Sequence, residues 1–146
     1  MKRHISSISF AIALGILGLA PALFANDHHG CTLRNVAATY GYTVSGIRIG
    51  IGPAASVGSA ELGSDGTATG AQSASFNGII LSETYTGTYT VNDDCTGTAV
   101  LNVVSSIPAF NRTSNLAVVW DDNEERFRMI FTDADTILTG DAQRVH

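Results

Sequence analysis

Between Ile79 and Val91 the chain alternates in a way that leaves few folds open. The even positions from Ser82 to Thr90 are all Ser or Thr. The odd ones are Ile79, Leu81, Glu83, Tyr85, Gly87, Tyr89 and Val91. Successive side chains of an extended strand point to opposite faces, so this segment predicts a strand with a mostly apolar face and a hydroxyl-rich one. No window of eleven or more residues carries the apolar period of an amphipathic helix, which leaves helix as the minor component.

The same pattern runs along the rest of the chain. Thr39 to Gly46 reads as a first strand with Tyr40, Tyr42 and Val44 on one face. After Gly50-Ile51-Gly52-Pro53, a flexible connection, come a short strand around Ser56–Leu62 and the turn signal Ser64-Asp65-Gly66. Thr67–Phe76, rich in Ala, Ser, Thr and Gly, ends at Asn77-Gly78, the strongest short hairpin signal. Asn92-Asp93-Asp94 closes the alternating segment, and Thr96–Ser105 follows as a fifth strand. Pro108 and Asn111–Ser114 read as a loop, and Leu116–Trp120, Arg126–Thr132 and Thr136–Gly140 as three last strands. Eight short strands joined by tight turns predict an all-β, up-and-down antiparallel barrel, because closure removes the edges that invite aggregation. A two-sheet sandwich is the alternative that strand count and turn spacing leave open.

Lys2, Arg3 and His4 precede the apolar run Ile8–Ala20, shorter than the roughly 20 residues a membrane helix needs. Ala22 and Ala25 both offer small-residue cleavage sites, and Ala25, just before a polar segment, is favoured. The expectation is a signal peptide over 1–25 and one domain over 26–146, secreted or periplasmic. Without Lys2 and Arg3 the chain keeps six basic residues, all Arg, against 13 acidic ones. That balance argues against nucleic acid and anionic membranes as partners. Cys31 and Cys95, the two cysteines, read in an exported chain as a disulfide closing a loop of more than sixty residues. Their spacing matches no zinc or redox motif.

Three segments carry a resemblance: Tyr40–Gly46, Thr86–Thr98 with its Asp94-Cys95-Thr96-Gly97 core, and Phe131-Thr132-Asp133 to Thr139-Gly140. Together they resemble a group of small exported bacterial proteins. The resemblance implies a compact β-barrel similar to lipocalin-like or allene-oxide-cyclase-like barrels, and it brings no catalytic residues with it.

Glu83 shares its strand face with Leu81, Tyr85 and Tyr89, where a carboxylate is costly unless paired. By the same alternation Arg48 continues the face of Tyr40, Tyr42 and Val44 and is the expected partner, provided Gly46 introduces no bulge. A cavity bearing Tyr40, Tyr42, Tyr85 and Tyr89 around Glu83 and Arg48 would suit a small, partly polar, aromatic or lipid-like ligand. The plainer reading sets Glu83 at a barrel mouth after Asn77-Gly78, reaching water, as charged residues usually do. A desolvated Glu83 could instead serve as the acid or base of an isomerase or cyclase. A third reading is a surface protein that assembles through open β edges.

No cofactor motif occurs. His28 would sit third in a chain beginning at Asn26, where amine, amides and imidazole could hold Cu(II) or Ni(II); the alternative is a frayed polar terminus. Asp121–Glu125 and Asp133–Asp135 could bring oxygens together at one barrel end as a calcium site, or serve as solvated turns. Asn111-Arg112-Thr113 fits a glycosylation sequon.

Overall fold

A computed structural model describes residues 30–146. The signal-peptide segment, both cleavage sites and His28 lie outside the described residues. A four-residue helix, α1 (Leu33–Val36), precedes β1 (Thr39–Arg48), β2 (Gly52–Leu62), β3 (Thr67–Phe76), β4 (Ile79–Tyr89), β5 (Thr96–Ser105), β6 (Arg112–Trp120), β7 (Arg126–Phe131) and β8 (Thr136–Arg144). Each strand pairs antiparallel with the next, and β8 returns to β1. That last ladder, from Tyr40 opposite Arg144 to Arg48 opposite Thr136, closes the sheet into a barrel and excludes the sandwich.

The alternation of β4 is realised as read: Leu81, Glu83, Tyr85 and Tyr89 are buried, and the intervening Ser and Thr residues face solvent. β3 matches its sequence bounds, as does β5. Six other boundaries move, among them the end of β1, which runs on to Arg48 rather than Gly46, and that of β7, which stops at Phe131. β2 begins at Gly52 and β6 at Arg112, because ladder hydrogen bonds to β1 and β5 outweigh the turn preferences of Gly, Pro and Asn. β8 runs on to Arg144, held against β1 and β7, and β4 stops at Tyr89.

Asn77 and Gly78 both have positive φ, at 49° and 90°, as the two-residue hairpin between β3 and β4 requires. At the other end of the barrel, two turns share one construction. The Asp65 carboxylate accepts from the backbone N–H and hydroxyl of Thr67, and Asp94 does the same with Thr96. Both carboxyls are held below the usual carboxylate range, chiefly by the threonine hydroxyls. The residue between is Gly66 in one turn and Cys95 in the other, with φ of 85° and 64°.

Cys95 is disulfide-bonded to Cys31, which ties α1 to the turn between β4 and β5. Thr32 caps α1 through its hydroxyl. Val36 and Tyr40, fully buried, fill the barrel end beneath the helix, and the Tyr40 hydroxyl donates to the carbonyls of Val36 and Glu124. One end of the barrel is therefore plugged. The other carries the Asn77-Gly78 turn and the β5–β6 connection.

Inside, bulk is distributed unevenly. The inward positions of β2 and β3 include Ala54, Gly58, Ala60, Ala68, Gly70 and Ala74, whereas the flanking β1 and β4 contribute Tyr40, Tyr42, Tyr85 and Tyr89. The small residues of β3 thus leave room for tyrosines. A Cβ on Gly58 would stand 2.7 Å from the Tyr42 hydroxyl, and one on Gly70 would overlap that of Tyr85.

Candidate functional site

Four inward side chains on four strands form a continuous polar chain across the barrel. Tyr42 on β1 donates its hydroxyl to Gln72 Oε1 at 2.9 Å, and Gln72 Nε2 on β3 donates to Glu83 Oε2 at 2.6 Å. From β6, Arg112 Nη1 donates to Glu83 Oε1 at 2.5 Å and Nη2 to Oε2 at 2.9 Å. Arg112 Nη1 also reaches the Phe110 carbonyl at 3.0 Å. The Glu83 side chain has no exposed surface, whereas that of Arg112 keeps 15 %. A carboxylate so deeply placed is tolerable because a bidentate guanidinium and an amide donor satisfy it. Burial first, and then Tyr85, push the Tyr42 phenol up, so it remains a neutral donor.

Two cavities flank this chain. The inner one, about 70 Å³, is predominantly apolar, with Tyr85, Leu101, Leu116, Val118 and Met129 around it and Gln72, Arg112 and Ser114 as its polar groups. The outer one, also about 70 Å³, is lined by Arg48, Arg112, Ser114, Phe131, Asp133 and Leu138. Arg112, Ser114 and Phe131 belong to both walls. An apolar cavity of roughly 150 Å³ admits benzene, so each of these holds only a few non-hydrogen atoms.

The residues singled out by sequence divide into groups. Tyr42, Tyr85 and Tyr89 line the inner cavity. They offer it their rings, since their hydroxyls are spent on Gln72, the Ser59 carbonyl and the Gly63 carbonyl. Tyr40 belongs to the plugged end. Glu83 does not reach water at a mouth: it stands behind Gln72 and Arg112, which face the cavity in its place. Nor is its partner Arg48. Arg48 does lie on the inward stripe of β1, with no bulge at Gly46, but it sits on the outer cavity, its guanidinium 5.5 Å from the Phe76 ring centre.

Sequence reasoning missed Arg112, Gln72 and Ser114. The signal for Arg112 and Ser114 was present, because Arg112, Ser114, Leu116, Val118 and Trp120 alternate without a break. The turn-forming Asn111 and Ser114 hid it. Nothing in the Ala- and Ser-rich surroundings of Gln72 marks it out.

Asp121–Glu125 and Asp133–Asp135 fall in successive turns, β6–β7 and β7–β8, and hence at opposite ends of the barrel rather than at one. Asp121 accepts from the Arg126 N–H, and Asp133 from Asn115. Among the described residues no three His, Cys, Asp or Glu side chains cluster as a metal site would need, and no helix is long and apolar enough to cross a membrane. No family model, no curated protein and no solved structure matches this chain.

Proposed function

We propose that the chain is an exported small-molecule-binding barrel, allied to the lipocalin-like exported barrels it resembles. The observation that carries this reading is the hollow beside Arg112. An apolar cavity toward the plugged end and a second cavity toward the other end share Arg112, Ser114 and Phe131 as wall residues. Binding sites combine an apolar body with a few oriented polar groups in this way. The polar chain from Tyr42 to Arg112 supports it further, because it holds Arg112 in one orientation before any ligand arrives, which lowers the ordering cost of binding. Export accords with the Cys31–Cys95 disulfide, a bond characteristic of oxidising compartments.

The cavity volumes favour a ligand of a few non-hydrogen atoms over a long lipid. Two other readings draw less support. A carboxylate whose oxygens already receive three donors is poorly placed to take a proton from substrate, which weighs against an isomerase or cyclase using Glu83. A closed sheet has no edge for β assembly.

Native mass spectrometry of the protein purified from its own exported fraction tests the reading. The expected result is a small additional mass that is lost on denaturation. A bare chain that also gains no mass or resonance shift from a panel of small organic molecules would overturn it.

A further inference from the structure

The outer cavity holds a guanidinium that no carboxylate among the described residues contacts, although Asp133 lies on the same wall. Glu83 neutralises Arg112, and Asp133 on the same wall accepts from the backbone N–H and side-chain amide of Asn115. The Arg48 side chain takes part in none of the ion pairs among the described residues and donates no hydrogen bond to any of them. Its guanidinium is half-buried against Phe76, whose ring also receives Arg112 at 5.3 Å. Burial first and the proximity of Arg112 second make the Arg48 cation less favourable, and Asp133 and Glu83 only partly offset this. Two guanidinium groups thus lie against one aromatic ring and on the wall of one cavity.

Arg112 has donors to spare. A guanidinium carries five N–H bonds, and the three used by Glu83 and Phe110 leave Nε–H and one Nη2–H free. Arg48 offers all of its own. Phe131 and Leu138 supply apolar wall beside them, and Ser114 and Phe131 continue into the inner cavity.

Resting on the proposed binding function, we infer that Arg48 and Arg112 form the head-group site for a short-chain monocarboxylate. Its carboxylate bridges the two guanidinium groups in the outer cavity, and its alkyl tail points past Phe131 toward the inner one. The volume limits the tail to a few carbons. The apolar continuation and the planar donor forks favour a carboxylate over inorganic phosphate.

The test is a nuclear magnetic resonance titration of the full exported chain, labelled with nitrogen-15, using butyrate, the isosteric amide butyramide and inorganic phosphate. Butyrate is expected to move the Arg48 and Arg112 Nε–H resonances together with the amides of Ser114 and Phe131. Arg48→Gln should weaken it at least tenfold and Arg48→Lys less. Arg48 is partly exposed and unpaired, so Arg48→Gln should stay folded, as its amide spectrum will report. Arg112 is left intact because its loss would strand Glu83. Butyrate binding unchanged in Arg48→Gln, or phosphate binding as tightly as butyrate, overturns the inference. Butyramide binding as well as butyrate overturns it too, yet leaves the barrel a binding protein. If neither moves any resonance the carboxylate site is refuted, and the proposed function then stands or falls on the native mass measurement.

Discussion

Glu83 and Arg112 meet across an intervening strand. Glu83 is in register with Ser105 on β5, and Val103, two residues away on the same inward stripe, is in register with Arg112 on β6. The closure of β5 between β4 and β6 therefore brings the charges together from 29 residues apart.

This relationship makes the pair more costly to break than to remove. Glu83→Ala should destabilise the barrel by about 3 kcal/mol, since it leaves a mostly buried guanidinium without its counterion. Glu83→Leu combined with Arg112→Met should recover most of that loss, as apolar replacements of buried pairs often do. Chemical denaturation of the three proteins checks both. A double variant no more stable than Glu83→Ala would contradict the account.

The disulfide carries a second prediction through the backbone of Cys95. Replacing both cysteines by Ser should cost about 4 kcal/mol from loss of the long cross-link. Because Cys95 has φ of 64° in the position that Gly66 fills in the sister turn, Cys31→Ser with Cys95→Gly should be more stable than the double serine variant by about 1 kcal/mol. Thermal unfolding under matched conditions gives the comparison.

All four tyrosines are buried, and burial raises each phenol. Tyr89 is pushed up to about 12. The folded state thus holds its phenolic protons more firmly than the unfolded state, whose phenols titrate near about pH 10. The stability they confer is complete below about pH 10 and falls as the pH rises toward 12, because only the unfolded chain loses its protons readily there. Phenolate absorbance should therefore appear together with loss of the barrel's circular dichroism, and phenolate formed at constant dichroism would disprove this.

The small wall of the barrel gives the last prediction. Gly58→Ala places a methyl group 2.7 Å from both the Tyr42 hydroxyl and Gln72 Cβ, and nearer still to the Ala71 carbonyl. It should destabilise the fold by about 1–3 kcal/mol through overpacking. Tyr42→Phe in that background should not restore stability, because the backbone clash remains. A Gly58→Ala protein with an unchanged midpoint of unfolding would show that β2 and β3 can separate freely.

The number of strands and their inward faces were legible in the sequence because strand periodicity is a local property: Tyr40, Tyr42 and Val44, or Leu81, Glu83, Tyr85 and Tyr89, declare one face without reference to any neighbour. Asn77-Gly78 and Asp65-Gly66 declared their turns for the same reason, since a positive φ is demanded where the chain reverses. The cysteine pairing also followed, there being two cysteines and one way to join them. Barrel closure, the partner of Glu83 and the plug beneath α1 depended on long-range register. Alternation puts Arg48 and Arg112 equally on the inside, and only the strand order sets one against Glu83 and leaves the other on the wall of the outer cavity. Sequence by itself determined which side chains point inward; the tertiary structure decided which of them meet, because neighbours across a sheet are chosen by hydrogen-bond register between strands that lie far apart along the chain.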